Sequence, residues 1–308
     1  MIVLRREEVA GLLDPEALIE AVAIALVDVS AGRASVPPRI ASFTPDGLLG
    51  AMVGYVPSFD TLAAKLVSLF PRNVQVPTHQ ALIAVFDSRT GTPVALLDGE
   101  EITAQRTAAA SALATRLLAP QDARVLAIVG TGVQAASHAR YVPSVRRFTS
   151  VLVAGRDRAK AAKLASHIGG RAVSIEEAVR AADVICATTH ARDPVLRREW
   201  LRAGAHLNSV GVHPQGREID NLRDTLVAVE SRASAFAPPP SGANELRDLA
   251  AADAVEVGEL VSGLRAGRTS PEQITVYKSV GIAAEDAAAA ALVLRRARER
   301  GVGRTIEL

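Results

Sequence analysis

The chain has 308 residues, with 35 Lys and Arg against 33 Asp and Glu, a formal net charge of +2, 49% apolar residues and 3% aromatics. Near balance without a basic block gives no reason to expect a nucleic-acid partner, and no apolar run approaches the ~18 residues of a membrane span. The single cysteine, Cys186, excludes an intrachain disulfide, and six scattered histidines with no cysteine cluster give no reason to expect a metal site.

The length suits two domains. The opening MIVLRREEVAGLLDPEAL reads as a strand and then a helix. It lacks the charged start, apolar stretch and small-residue cleavage site of a signal peptide, so a soluble cytoplasmic protein is expected. Residues 14–31 predict a helix with Asp14 as N-cap and Pro15 at the first helical position. From Val36 to about Leu97, short apolar runs alternate with Pro, Gly and Asn, the texture of a sheet with tight turns. Asp87-Ser88-Arg89-Thr90-Gly91 is a hairpin-like turn. An Ala-rich helix is expected from about Glu101 to Leu118, and Pro120-Gln121 marks a seam.

Three cations stand out in this part: Arg39 in VPPRI, Lys65 in LAAKLVSLFP and Arg106 in TAQRTAAA. A buried lysine is expensive unless it is paired or bound to an anion. Periodicity alone leaves two roles open for these cations, pairing with Asp98, Glu100 or Glu101, or binding a ligand.

Strands and helices alternate after the seam, which implies right-handed crossovers and a parallel sheet. The reading is strand 125–129, helix 133–141, strand 148–154, helices 157–168 and 175–181, and strands 183–188 and 205–210. Val125–Val129 runs into Gly130-Thr131-Gly132-Val133-Gln134-Ala135, a Gly-x-Gly-x-x-Ala turn between a strand and a helix. This is the dinucleotide-binding turn of a Rossmann unit, in which Gly130 permits the turn and Gly132 lets backbone approach a pyrophosphate. Ala135 allows close helix packing, and the helix N-terminus favours the phosphates. The second strand ends in Gly155-Arg156-Asp157-Arg158, with glycine where an NAD site usually carries an acid. Arg156 can pair two-pronged with a 2′-phosphate, so NADP(H) is favoured over NAD(H). Solvated arginines and a ribose contact from Asp157 stay open.

Cys186, in ADVICATT, reads as a small buried hydrophobe. His213 and Glu218 fall in the loop after strand 205–210, at the carboxyl end where ligands bind in such sheets, though an ordinary crossover loop reads equally well. Residues 236–242 form a loop, 245–267 an acidic helix, 274–279 the last strand and 282–298 a long Ala-rich helix.

Several segments taken in order resemble the ornithine cyclodeaminase/mu-crystallin family. They are AAKLVSLFPRN (63–73), GTPVALLDGEEITAQRTAAASALATRLLA (91–119), VLAIVGTGVQA (125–135), ADVICATT (182–189), GAHLNSVGVHPQGREID (204–220) and TVYKSVGIAAEDAAAAALV (275–293). The resemblance implies an α/β fold in which a Rossmann domain, 120–281, is inserted into an α+β substrate-binding and dimerisation domain, 1–119 plus 282–308. It implies a homodimer that takes a small imino- or amino-acid substrate facing the nicotinamide, with no nucleic-acid or membrane partner. By the same resemblance Arg39, Lys65 and Arg106 hold the substrate carboxylate. Lys65 and Arg106 are the catalytic pair, with Lys65 or a water as proton donor. Met52 lines the pocket or packs the core. The implied cofactor set is Gly130, Thr131, Gly132, Val133, Gln134 and Arg156 with Thr107, Thr188, Val210, Lys278 and Gly281.

One departure matters. Cyclodeaminases of the family carry an aspartate where this chain has Val212, and valine neither accepts a proton nor bonds an ammonium; His213 is adjacent. With Arg156, this resembles the ketimine and Δ1-pyrroline-2-carboxylate reductase branch. The expected activity is NAD(P)H-dependent reduction of a cyclic imino acid. The alternatives are an ornithine cyclodeaminase, an alanine-type dehydrogenase and a non-catalytic NADP(H)-binding protein.

Overall fold

The computed structural model describes residues 1–213 and 215–307. The chain forms two compact units, Met1–Arg106 with Gly281–Leu308, and Thr107–Val280.

The first unit opens with β1 (Ile2–Leu4), α1 (Arg6–Leu12) and α2 (Pro15–Ser30). Asp14 caps α2 by accepting from the Ala17 N–H at 3.0 Å, and Pro15 takes the N-terminal place where a missing N–H does no harm. An antiparallel meander follows: β2 (Ile40–Phe43), β3 (Leu48–Val56), β4 (Thr61–Leu69), β5 (His79–Phe86) and β6 (Pro93–Asp98). The β5–β6 turn is fixed by Asp87, whose carboxylate accepts from the N–H groups of Arg89 (3.1 Å) and Thr90 (2.8 Å), with Gly91 at φ +72°. Along β4, alternate side chains point to opposite faces, so Lys65 falls on the same buried side as Ala63 and Val67. Asp98 then accepts from the Glu101 N–H at 2.7 Å and starts α3 (Gly99–Leu118). The division between units falls inside this helix, between Arg106 and Thr107, rather than at Pro120.

The second unit contains β7 (Val125–Val129), α4 (Val133–Tyr141), β8 (Ser150–Ala154), α5 (Arg158–Ile168), β9 (Arg171–Ala172) and α6 (Ile175–Ala181). It continues through β10 (Val184–Ala187), β11 (His206–Ser209), β12 (Thr225–Val229), α7 (Arg232–Ala235), β13 (Val255–Glu256), α8 (Val257–Val261) and β14 (Ile274–Lys278). Its eight strands run in the order β13-β12-β14-β11-β10-β7-β8-β9, and all their pairings are parallel. β10, β11 and β14 are buried along their whole length, as strands covered on both faces must be. The chain leaves β7 towards β8 on one side and returns to β10 on the other, which makes a topological switch point at the carboxyl end of β7.

The helix expected over 245–267 does not form. The segment holds two short turns, Asn244–Leu246 and Ala251–Asp253, then β13 and the five-residue α8. The cause is tertiary. Glu245 and Glu256 are buried and accept from Glu218 N (2.8 Å) and Arg232 N (2.8 Å), and Val255–Glu256 pairs with β12. Those partners outweigh local helix propensity. Gly263, at φ +72°, lies just beyond α8.

The first unit is completed by α9 (Ala283–Arg300) and β15 (Arg304–Thr305). Its seven-stranded sheet has the order β15-β1-β6-β5-β4-β3-β2, and α9 packs on α2 and across β3 and β4. The alanines of α9 let it lie against the sheet. A Cβ on Gly54 of β3 would stand 3.0 Å from that of Ala283.

Candidate active site

Gly130 follows β7 with φ +133°, its N–H bonded to Ala154 O at 2.8 Å. A Cβ there would strike the Thr188 hydroxyl and carbonyl, so only glycine fits. Gly132 caps α4 with open space around it, and Ala135 is fully buried beneath the helix. Backbone can therefore reach a pyrophosphate at the positive end of α4. A cavity of about 610 Å³ opens at this turn. Gly130, Thr131, Gly132, Arg156 and Thr188 of the expected cofactor set line it. Val133 and Gln134 form the first residues of α4 outside that lining. Gly155 is tight against Thr131, whose Cγ2 would be 3.0 Å from a Cβ, so a larger residue there would require Thr131 to shift by a few tenths of an ångström. Asp157 is the N-cap of α5, accepting from Lys160 N at 3.0 Å. Sequence reasoning missed Lys160 and His190, which also line the cavity. Lys160 had a legible signal, one turn beyond Arg156 at the start of α5.

The remaining expected cofactor residues lie elsewhere. Thr107 is buried in α3, and Val210 follows β11 with its N–H on Ala187 O at 3.0 Å. Lys278 is fully buried, and its ammonium donates to Ser209 Oγ (3.1 Å), Gly211 O (2.6 Å) and Glu245 Oε1 (3.1 Å). Val212 is half-buried, and the His213 ring stands 4.9 Å from that of His190.

Gly281 belongs with the cations of the first unit. Met52, Lys65 and Ile83 are direct cross-strand partners on the buried face. Lys65 Nζ donates to both Asp286 oxygens, at 3.1 and 3.4 Å. Arg106 donates from Nε to Asp286 at 3.0 Å and from a terminal nitrogen to Glu285 at 3.1 Å. Arg39 donates to Gly281 O at 3.2 Å. Gly281, at φ +69°, would place a Cβ 2.8 Å from the Arg106 guanidinium, so a side chain there would displace it. The three cations thus share one cluster, held by acids that the sequence reading did not name. Asp98, Glu100 and Glu101 are engaged otherwise, with the α3 cap, Arg6 and Gln105 respectively. Asp286 and Glu285 arrive on α9, some 180 residues from Arg106, so no local pattern announces them.

Among the described residues, Arg39, Lys65 and Arg106 gather around the carboxylates of Glu285 and Asp286 and the carbonyl of Gly281. Burial pushes the Lys65 ammonium down to about 8, with Arg106 and Arg39 acting the same way and Asp286 opposing them. Burial alone would raise Asp286, but Arg106 and Lys65 hold its carboxyl below the usual range. Burial, then Lys65 and Arg106, brings His79 down to about 4, so its imidazole is neutral at physiological pH.

The sequence pattern of the ornithine cyclodeaminase/mu-crystallin family matches residues 1–301, and the chain belongs to that family. It is 41% identical to the ketimine reductase mu-crystallin of Mus musculus over 80% of each chain. Among solved structures it is similar to the Δ1-pyrroline-2-carboxylate reductase of Thermococcus litoralis in complex with NADH and L-proline. That match has a TM-score of 0.93 and 33% identity, covering 99% of this chain and 100% of the other. It is also similar to an archaeal alanine dehydrogenase dimer with bound NAD, with a TM-score of 0.92 and 29% identity, covering 100% of this chain and 99% of the other.

Proposed function

We propose that this family member uses NAD(P)H to reduce a cyclic imino acid, Δ1-pyrroline-2-carboxylate or Δ1-piperideine-2-carboxylate, to the cyclic amino acid. The carrying observation is the gathering of Arg39, Lys65 and Arg106 in one cluster with Glu285 and Asp286, a cation-rich setting that suits a substrate carboxylate. A guanidinium suits a carboxylate two-pronged, and a buried ammonium adds a point charge. The reduced nicotinamide, when bound, supplies the hydride that reaches the imine carbon. The ring nitrogen takes a proton from Lys65, whose ammonium near pKa 8 is charged at neutral pH yet releases its proton readily. Asp286 holds Lys65 and Arg106 in one geometry, and Met52 beside Lys65 gives the site an apolar wall.

The turn at Gly130 and Gly132 fits a dinucleotide pyrophosphate. Arg156 on the cavity rim, with glycine rather than an acid at position 155, supports NADP(H) over NAD(H). Val212 in place of an aspartate speaks against ornithine cyclisation. A cytoplasmic homodimer is the proposed form. The outer face of the first unit's sheet exposes Ile40, Leu49, Val53, Leu66 and Leu82, an apolar surface that a second copy would cover.

Loss of NADPH absorbance with each imine, repeated with NADH, tests the proposal. Rapid oxidation with either imine, faster with NADPH, is the expected result. No oxidation with any imine, together with ammonia released from ornithine, would overturn it.

A further inference from the structure

The loops leaving β10 and β11 are joined by one side chain. Glu218 is buried, and four hydrogen bonds converge on its carboxylate. Oε1 accepts from Thr189 N and Thr189 Oγ, both at 2.7 Å. Oε2 accepts from Ser209 Oγ and Gly211 N, both at 2.8 Å. The Glu218 backbone carbonyl accepts from Val195 N (3.0 Å) and Leu196 N (2.9 Å), and its N–H donates to Glu245, which also accepts from Lys278. Backbone lies against backbone here: a Cβ on Gly211 would strike Thr189 O and the Glu218 carboxyl, and one on Gly216 would strike Arg192. Thr188, Thr189, His190, Ala191 and Val195 of the β10 loop are wall residues of the dinucleotide cavity, whereas Glu218 is not.

We propose that Glu218 is a positioning residue for the dinucleotide. Its carboxylate sets the β10-loop wall from behind and locks that wall to the β11 loop. Apolar packing could join two loops with no desolvation penalty, but it would not fix the direction of two backbone N–H groups. A carboxylate has two oxygens, each able to accept more than one bond, and one serves each loop. An amide at this position has one acceptor oxygen. Either Thr189 N–H or Gly211 N–H would then face an NH₂ group, and a buried donor left without an acceptor is costly. The inference rests on reading the second unit as a dinucleotide-binding unit, and its test needs no imine.

The experiment is titration of NADPH alone into wild type and Glu218→Gln, with imine kinetics at saturating NADPH alongside. The expected result is a dinucleotide Kd about tenfold weaker or more in Glu218→Gln, with the imine KM within about twofold of wild type. A general loss of fold would move both, and an unchanged Kd in a folded Glu218→Gln protein overturns the inference. If the variant does not fold, hydrogen exchange on wild type decides. The amides of Thr189 and Gly211 should be protected together, and further slowed by NADPH. Exchange at either that ignores NADPH while the Gly132 turn responds to it overturns the inference. Tight NADPH binding without imine turnover would overturn the proposed reaction and leave the role of Glu218 standing.

Discussion

The glycine turn after β7 and the cation cluster of the first unit are built in opposite ways. The turn is built from backbone: two glycines, a helix N-terminus and a tight strand end, all within residues 125–157. The cluster is built from side-chain charge gathered from Arg39, Lys65, Arg106 and the segment Gly281–Asp286. Backbone sites cost little to bury, because most of their polar groups are already bonded. Charge sites carry a large desolvation penalty that only a full set of partners offsets. The two should therefore fail differently. Damage to the turn should weaken cofactor binding, and damage to the cluster should remove both substrate binding and part of the fold's stability.

The sharpest separation comes from Lys65→Met. It removes the proposed clamp charge and the proposed proton donor together, and takes from Asp286 its Lys65 contacts while keeping that with Arg106. Imine kcat/KM should fall by roughly 30- to 5,000-fold, since truncating a buried charge contact costs about 2–5 kcal/mol. The NADPH Kd should stay within about twofold, as read by fluorescence titration. A parallel loss of NADPH affinity would break the contrast between the two sites. Asp286→Asn comes next. Removing one partner of a buried pair strands a charge, so chemical denaturation should show about 3–5 kcal/mol less stability. A loss below about 1 kcal/mol would mean that Glu285 alone satisfies the cations.

The contrast extends to pH. Lys65 titrates near 8 in the fold, below its ordinary 10.5, so the unfolded chain binds the extra proton between those values. Its contribution to stability therefore rises with pH across that window, by up to roughly 1.4 kcal/mol per pH unit, while the protonated form that the proposed proton transfer requires is lost. Imine kcat should fall about tenfold per pH unit above 8, and a flat profile to pH 9.5 would remove Lys65 as the donor. The difference in stability between wild type and Lys65→Met, measured from pH 8 to 10, isolates the opposing stability term.

The same contrast decides what the sequence made legible. Helices 133–141 and 175–181 and strand 125–129 stand where local pattern puts them, because glycine turns, caps and apolar runs act within a few residues. The cap at Asp14 and the turn at Asp87 are of the same kind. Lys65 betrayed itself as a charge in an apolar strand, but its partner did not. Asp286 sits 221 positions away in a helix whose sequence looks like any Ala-rich amphipath. The segment 245–267 misled for a related reason, since its acids are committed to Lys278 and Arg232 across the sheet rather than to a helix surface. Glu218 was visible as a residue of the loop, but four donors converging on one carboxylate cannot be read from spacing.

The mildest expected effect tests a charged residue at the rim of the backbone-built site. Arg156 lies exposed on the cavity rim, where solvent screens a phosphate contact. Arg156→Ala should raise the NADPH KM about tenfold, in line with the roughly 1.5 kcal/mol of an exposed charge-assisted bond. NADH carries no 2′-phosphate, so its KM should not move, and the NADPH effect should shrink in high salt. Lys160, on the same rim, would share the phosphate, so Arg156→Ala with Lys160→Ala should lose more than either change alone. Equal losses with both cofactors would mean that Arg156 shapes the turn rather than reading the phosphate, and the contrast between a backbone site and a charge site would hold even at the rim.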